Sequence, residues 1–165
     1  MNRKTRRYFL KGKEATQLLN QFSDKVKIDI KQLVGSKPNI ELTETHIATI
    51  YSINNRPLLA LIDGSLSPTL LFEEALRLIP KIVVNMGAVP HICGGADVMA
   101  PGIVRIEKEF STNDYVVITD ERHNKAIAIA IALTDSKTAQ NLKQGKIAKN
   151  IHYVGDKLWS QIKKI

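Results

Sequence analysis

The sequence predicts an α+β protein, with a small α/β N-terminal domain followed by a mostly antiparallel barrel. Three observations carry this. Apolar residues at helical spacing between Lys13 and Phe22 give way to short strand-like runs. A second apolar helical pattern stops at Pro80, because the residue before a proline is pushed out of the helical region. Beyond it, short strands with turn signals and little helix fill the chain as far as Trp159, the pattern of a small barrel. The expected divisions are residues 1–79, residues 80–159 and a basic tail over residues 160–165.

Taken in order, Tyr8-Phe9-Leu10 is a short apolar run with strand character. Lys13–Phe22 is a helix with Ala15, Leu18, Leu19 and Phe22 on one face. Val26, Ile28 and Ile30 alternate with Lys27 and Asp29, the period of a half-buried strand. Residues 35–39 form a Gly/Ser/Pro/Asn loop. Ile47–Ile53 and Leu58–Ile62 pair as a hairpin through Asn54-Asn55-Arg56, and Asp63-Gly64-Ser65 turns again. Ser67 is placed to cap a helix and Pro68 to occupy its first turn, with Leu70, Leu71, Ala75, Leu78 and Ile79 as its apolar face.

In the second half, Ile82-Val83-Val84 is a buried strand. Gly87–Pro90 turns into a short helix that Gly94 closes in the left-handed conformation. Ile103–Ile106, Tyr115–Thr119 and Ala126–Leu133 are strands. The last alternates Ile with Ala, so its large face is expected to fill the barrel and its small face to admit close packing from outside. Asp135-Ser136 caps a helix through Gln144 that stops at Gly145, and Ile151–Val154 with Leu158-Trp159 close the domain.

Composition narrows the function. The longest apolar run, Ala126–Leu133, falls far short of the roughly 20 residues that span a bilayer. The basic N-terminus leads into no apolar segment of a signal peptide, so the expected location is cytoplasmic with no membrane partner. Cys93 is the only cysteine, which excludes a disulfide framework and paired-cysteine zinc or redox sites. The formal charge is +8, from 24 Lys and Arg against 16 Asp and Glu. The excess sits at the ends. Arg3, Lys4, Arg6, Arg7, Lys11 and Lys13 meet no acid, and Lys143, Lys146, Lys149, Lys157, Lys163 and Lys164 meet only Asp156. A localised basic surface is the footprint of a polyanion binder.

The informative stretch is Val83 to Ile103, which reads strand, turn, helix, glycine loop, strand. Gly94-Gly95 permits positive φ, and its successive amides can point into one concavity suited to phosphate. Val98 and Met99 can offer an apolar surface to an unstacked base. Neither a Walker loop nor a dinucleotide fingerprint is present.

Gly87-Ala88 followed by Gly95-Ala96-Asp97-Val98-Met99-Ala100-Pro101-Gly102 resembles the signature of the PUA domain, the RNA-binding module of pseudouridine synthases and archaeosine transglycosylases. Ser67-Pro68-Thr69-Leu70, Asn150-Ile151-His152-Tyr153 and Leu158-Trp159 resemble the malignant-T-cell-amplified family of translation factors, which sets a pre-PUA domain before a PUA domain. The likeness covers most of residues 67–159 and, in outline, residues 1–66. It implies a pseudobarrel and a protein acting on the small ribosomal subunit in initiation, reinitiation or recycling, with a partner carrying an initiation-factor-like domain. It also implies binding of structured RNA, often a tRNA acceptor end, by Gly87, Ala88, Gly94, Gly95, Ala96, Asp97, Val98, Met99, Pro101 and Gly102, with His152 and Tyr153 adjacent. Asn85-Met86 departs from relatives that carry a charge before the Gly-Ala turn, which leaves Lys143, Lys146 and Lys149 to supply phosphate contacts.

Asp97 suits a turn cap bonded to backbone amides better than a phosphate-facing role. His91 and Cys93 lack companions for a metal site, Cys93 reads as a small buried hydrophobe, and Glu73-Glu74 diverge on a helix. No triad, metal set or acid pair remains, so the expectation is a non-catalytic RNA binder without cofactor or metal. An accessory or specificity subunit for tRNA or rRNA modification is the alternative, and a protein adaptor that has lost RNA binding is the third reading.

Overall fold

The computed structural model describes residues 5–165, so Arg3 and Lys4 lie outside the described residues. Two sheets organise the chain. The first has strands β1 (Arg6–Phe9), β2 (Ile40–Glu44), β3 (Thr49–Ile53), β4 (Arg56–Ile62) and β5 (Ser65–Pro68), each antiparallel to the next. Asn54 and Asn55 both take positive φ, 51° and 68°, the hairpin geometry that matches strand twist. Helix α1 (Gly12–Val26) buries Ala15, Leu18, Leu19 and Phe22 against this sheet. Phe22 stacks on Phe72 with ring centroids 6.1 Å apart.

Three expectations change here. The alternation over Val26–Ile30 is not a strand. Helix α1 continues to Val26, Lys27 closes it in the left-handed region, and a short α2 (Lys31–Val34) follows. Ile30 is fully buried with its amide on Ser23 Oγ at 3.1 Å, so a helix end met the period-two pattern equally well. Strand β2, which the sequence reading left unassigned, sits between β1 and β3. Ser67 and Pro68 do not open a helix. They finish β5, with Ser67 opposite Ala60 and Pro68 opposite Leu59. Because β5 is an edge strand, the missing amide of Pro68 costs no ladder bond. Helix survives only as α3 (Glu73–Leu76).

The second sheet contains β6 (Lys81–Val84), β7 (Val98–Met99), β8 (Ile103–Glu107), β9 (Tyr115–Asp120), β10 (Ala126–Ala132) and β11 (Lys146–Tyr153). Their order is β7-β11-β10-β9-β6-β8, antiparallel except for the parallel β6–β9 pair. The sheet curls around a core that includes Ile82, Val84, Val116, Ile118, Ile127 and Ile147, giving the expected pseudobarrel. Helix α4 (Val89–Ile92) and a 3-10 turn (Ala100–Gly102) flank β7. Helix α5 (Ser136–Asn141) is capped by Asp135, which accepts from the Thr138 amide at 2.7 Å. It stops at Asn141, short of Gln144, while Gly145 supplies a positive-φ turn into β11.

From Ala128 onward the faces of β10 are the reverse of those expected. Ile127 is an extra residue in the β9 pairing, so Ala128, Ala130 and Ala132 join it inside the barrel, and Ile129 and Ile131 pack outward. The outward isoleucines meet Leu70, Leu76, Ile79, Val117 and Trp159 where the two sheets join. Helix α6 (Lys157–Ile162) completes the junction, Leu158 and Ile162 packing on Ile50 and Ala60. Residues 160–162, expected in a free tail, therefore belong to a packed helix. Among the described residues no helix is long and apolar enough to cross a membrane.

Candidate nucleic-acid interface

Asn85 follows β6 and organises the Gly-Ala turn. Its amide donates to the Gly102 carbonyl at 2.9 Å, and its Oδ1 accepts from the Ala88 amide at 2.9 Å. A Cβ on Gly102 would stand 3.2 Å from the Ala88 Cβ, so the two parts of the motif need glycine where they touch. The uncharged Asn85 is thus committed to the turn.

Helix α4 ends differently from the sequence reading. The residue with positive φ is Gly95, at +97°, not Gly94. A Cβ there would lie 3.1 Å from Tyr153 Oη, so Gly95 lies flush against the half-buried Tyr153 ring. The amides of Gly94 and Ala96 donate to the His91 carbonyl, and that of Gly95 donates to Ile92. These amides close the helix and do not form an anion-binding concavity. The loop contributes shape and close approach.

Asp97 takes the Asn150 amide on Oδ1 at 3.0 Å and pairs with Lys146 on Oδ2 at 3.3 Å. It does cap backbone, but on β11 instead of its own loop. Asn150 in turn donates through Nδ2 to the carbonyls of Ile92 and Ala96, both at 3.0 Å. Asn150 therefore ties α4, the glycine loop and the last strand together.

A cleft of about 430 Å³ opens beside this framework, lined by Ala88, His91, Asp97, Met99, Pro101 and Gly102 among others. Met99 is 44% exposed and offers the apolar surface, while Val98 is buried in the barrel core and cannot. Lys146 lies opposite Met99 in the β7–β11 register. Lys143 and Lys149 are exposed but do not line the cleft. His152, expected on the RNA face, is fully buried at the junction of the sheets, so it is unavailable to a ligand.

Sequence reasoning found the strands β9 and β10 but missed the part played by the turn between them. Glu121 Oε1 accepts from the Met86 amide at 3.1 Å, which leans the hairpin on the Gly-Ala turn and puts exposed Arg122 and His123 beside it. Burial pushes the Asp120 carboxyl up, but amide bonds from His123, Lys125 and Arg122 outweigh it and hold the group below its ordinary value. The polar run after Thr119 was the available signal. Burial raises the Cys93 thiol, which disfavours its thiolate and agrees with a packing role.

Residues 80–154 match the family model described as PUA domain, and residues 6–73 match Domain of unknown function (DUF1947). The chain is 34% identical over 158 residues to an uncharacterized protein of Methanocaldococcus jannaschii, covering 94% of this chain and 96% of that one. It is 26% identical to Translation machinery-associated protein 20 of Saccharomyces cerevisiae, covering 87% of this chain and 83% of that one. The fold matches a crystal structure of a hypothetical protein from Pyrococcus horikoshii with a TM-score of 0.81 and 31% identity, covering 95% of this chain and 99% of that chain.

Proposed function

The chain belongs to the PUA-domain family that carries the DUF1947 N-terminal domain and includes the proteins named Translation machinery-associated protein 20, and from this we propose a non-catalytic RNA-binding protein of the translation apparatus. Its target is the small ribosomal subunit or tRNA bound there, in initiation, reinitiation or recycling. It works in the cytoplasm, with a protein partner that carries an initiation-factor-like domain. The observation that carries this reading is the cleft between α4 and β7, where exposed Met99 and Pro101 stand beside Lys146. An apolar ledge beside a cation suits a strand end that presents both base and phosphate. Arg122 and His123 extend the surface across the Gly-Ala turn.

The test is a titration with full-length tRNA and with the same tRNA trimmed of its CCA end, at several salt concentrations. Loss of affinity on trimming, with a steep salt slope, supports an acceptor end in the cleft. Equal binding of both forms assigns the interaction to backbone electrostatics and redirects it to rRNA. No binding to tRNA or to the small subunit at physiological salt overturns the reading. Recovery of a modification enzyme instead of ribosomal proteins on pull-down would favour the accessory-subunit alternative.

A further inference from the structure

A second cleft, of about 320 Å³, lies where α3, the β9–β10 pair and α6 meet. It shares no residue with the cleft at Met99. Leu70, Leu71, Leu76 and Trp159 form apolar walls. Thr119 also lines it, and this residue is 2% exposed with a hydroxyl that has no hydrogen-bond partner among the described residues. A buried hydroxyl is ordinarily satisfied, and this one is closed off from solvent behind the cleft wall without a partner among the described residues. The rim holds Arg77, Lys81 and Lys125 against one carboxylate, Glu73. Glu73 is taken by Arg77 at 3.9 Å, and among the described residues neither Lys81 nor Lys125 has an ion-pair partner.

We propose that this cleft is a second RNA contact that takes one unpaired nucleotide of a bound strand, its base against Trp159 and its phosphate between Lys81 and Lys125. The inference rests on the RNA-binding reading above. An indole wall with flanking leucines fits a base of any sequence, and a cationic rim fits its phosphate. A small outward turn of the Thr119 side chain lets its unpartnered hydroxyl bond the base edge or ribose. The volume is at the small end of ligand sites, the scale of one nucleotide and not of a helix. Position supports the same occupant. Lys125 lines this cleft and Glu121 of the same hairpin holds the Gly-Ala turn that lines the first, so the hairpin borders both.

Trp159 is the only tryptophan, so its fluorescence reports this cleft directly. The probes are an RNA hairpin with a single-stranded adenosine tail and the same hairpin without it, with total binding followed by filter retention. The tailed hairpin is expected to quench Trp159 saturably and the blunt one is not. Lys125→Glu should weaken the quench about tenfold, the scale of one lost phosphate or stacking contact. Thr119→Val keeps shape and apolar packing, and should weaken it about threefold at an unlowered melting temperature. Retention of the tailed hairpin with unchanged Trp159 emission, or without effect of Lys125→Glu, overturns the proposal while leaving RNA binding intact. Absence of retention for both hairpins overturns it together with the RNA-binding reading. Quenching by an acidic peptide but by neither RNA assigns the cleft to a protein partner and also overturns it.

Discussion

Leu70 and His152, 82 positions apart in the chain, are joined by one buried hydrogen bond, the Leu70 amide donating to His152 Nε2 at 3.2 Å. An amide can only donate, so Nε2 accepts and the ring proton sits on Nδ1, facing Asp156 Oδ2 at 2.8 Å. Asp156 also takes the amides of Tyr153 and Trp159 and so caps α6. Burial pushes its carboxyl up, yet the bond to His152 and the two amides together hold it below the ordinary value. One histidine thus links the connection after β5, the end of β11 and the start of α6.

His152→Ala should leave the Leu70 amide without an acceptor and Asp156 without its ring partner. The expected loss is about 2–3 kcal/mol, read as a lower urea midpoint at unchanged m. No loss of RNA affinity should follow at temperatures where the variant is folded, because the ring is buried.

Tyr115 makes a second bond across the junction, its hydroxyl donating to the Leu66 carbonyl at 2.7 Å. Burial raises its pKa from 10.0 to about 12. The folded state therefore holds the phenol proton more tightly than the unfolded chain. The associated stabilisation is complete below 10.0 and disappears as pH rises through about 12. Tyr115→Phe should be less stable by about 1 kcal/mol near neutral pH and should lose less than the parent across that alkaline window, measured by chemical denaturation at stepped pH.

Gly95→Ala forces a side chain into positive φ and against Tyr153. A cost of about 1–2 kcal/mol is expected. Pairing it with Tyr153→Phe should relieve the contact but not the backbone strain, so the double variant should recover only part of the lost midpoint.

Lys146→Ala removes a cation beside Met99. It should weaken tRNA binding and reduce the log–log salt slope by about one, with little dependence on RNA sequence. Met99→Ala should instead lower affinity without changing the slope, because the residue is uncharged. Titrations at stepped salt separate the two effects.

Much of this molecule was legible in one dimension. Helix α1 showed its apolar stripe, Asn54-Asn55 and Asp63-Gly64 announced their turns, and the run from Gly95 to Gly102 carried the family signature. The α+β class and the pseudobarrel followed, because periodicity and turn chemistry are local properties. Charge at the two ends and a single cysteine narrowed the function before any contact was known.

The faces were decided elsewhere. An extra residue at Ile127 turned β10 over, and another at Ile151 intervenes between the paired positions of Asn150 and His152 on β11. A bulge exists only relative to a partner strand, so alternation along one strand cannot reveal which side it faces. The same dependence placed Val98 inside and Met99 outside, and turned the glycine amides onto α4 instead of a ligand. The sequence by itself determined the fold class, most of the strands and turns of the second half, and the PUA signature. Only the packing of one sheet against the other determined that His152 is a buried joint and that the Thr119 hydroxyl is buried without a partner among the described residues, because burial depends on residues brought together from distant parts of the chain.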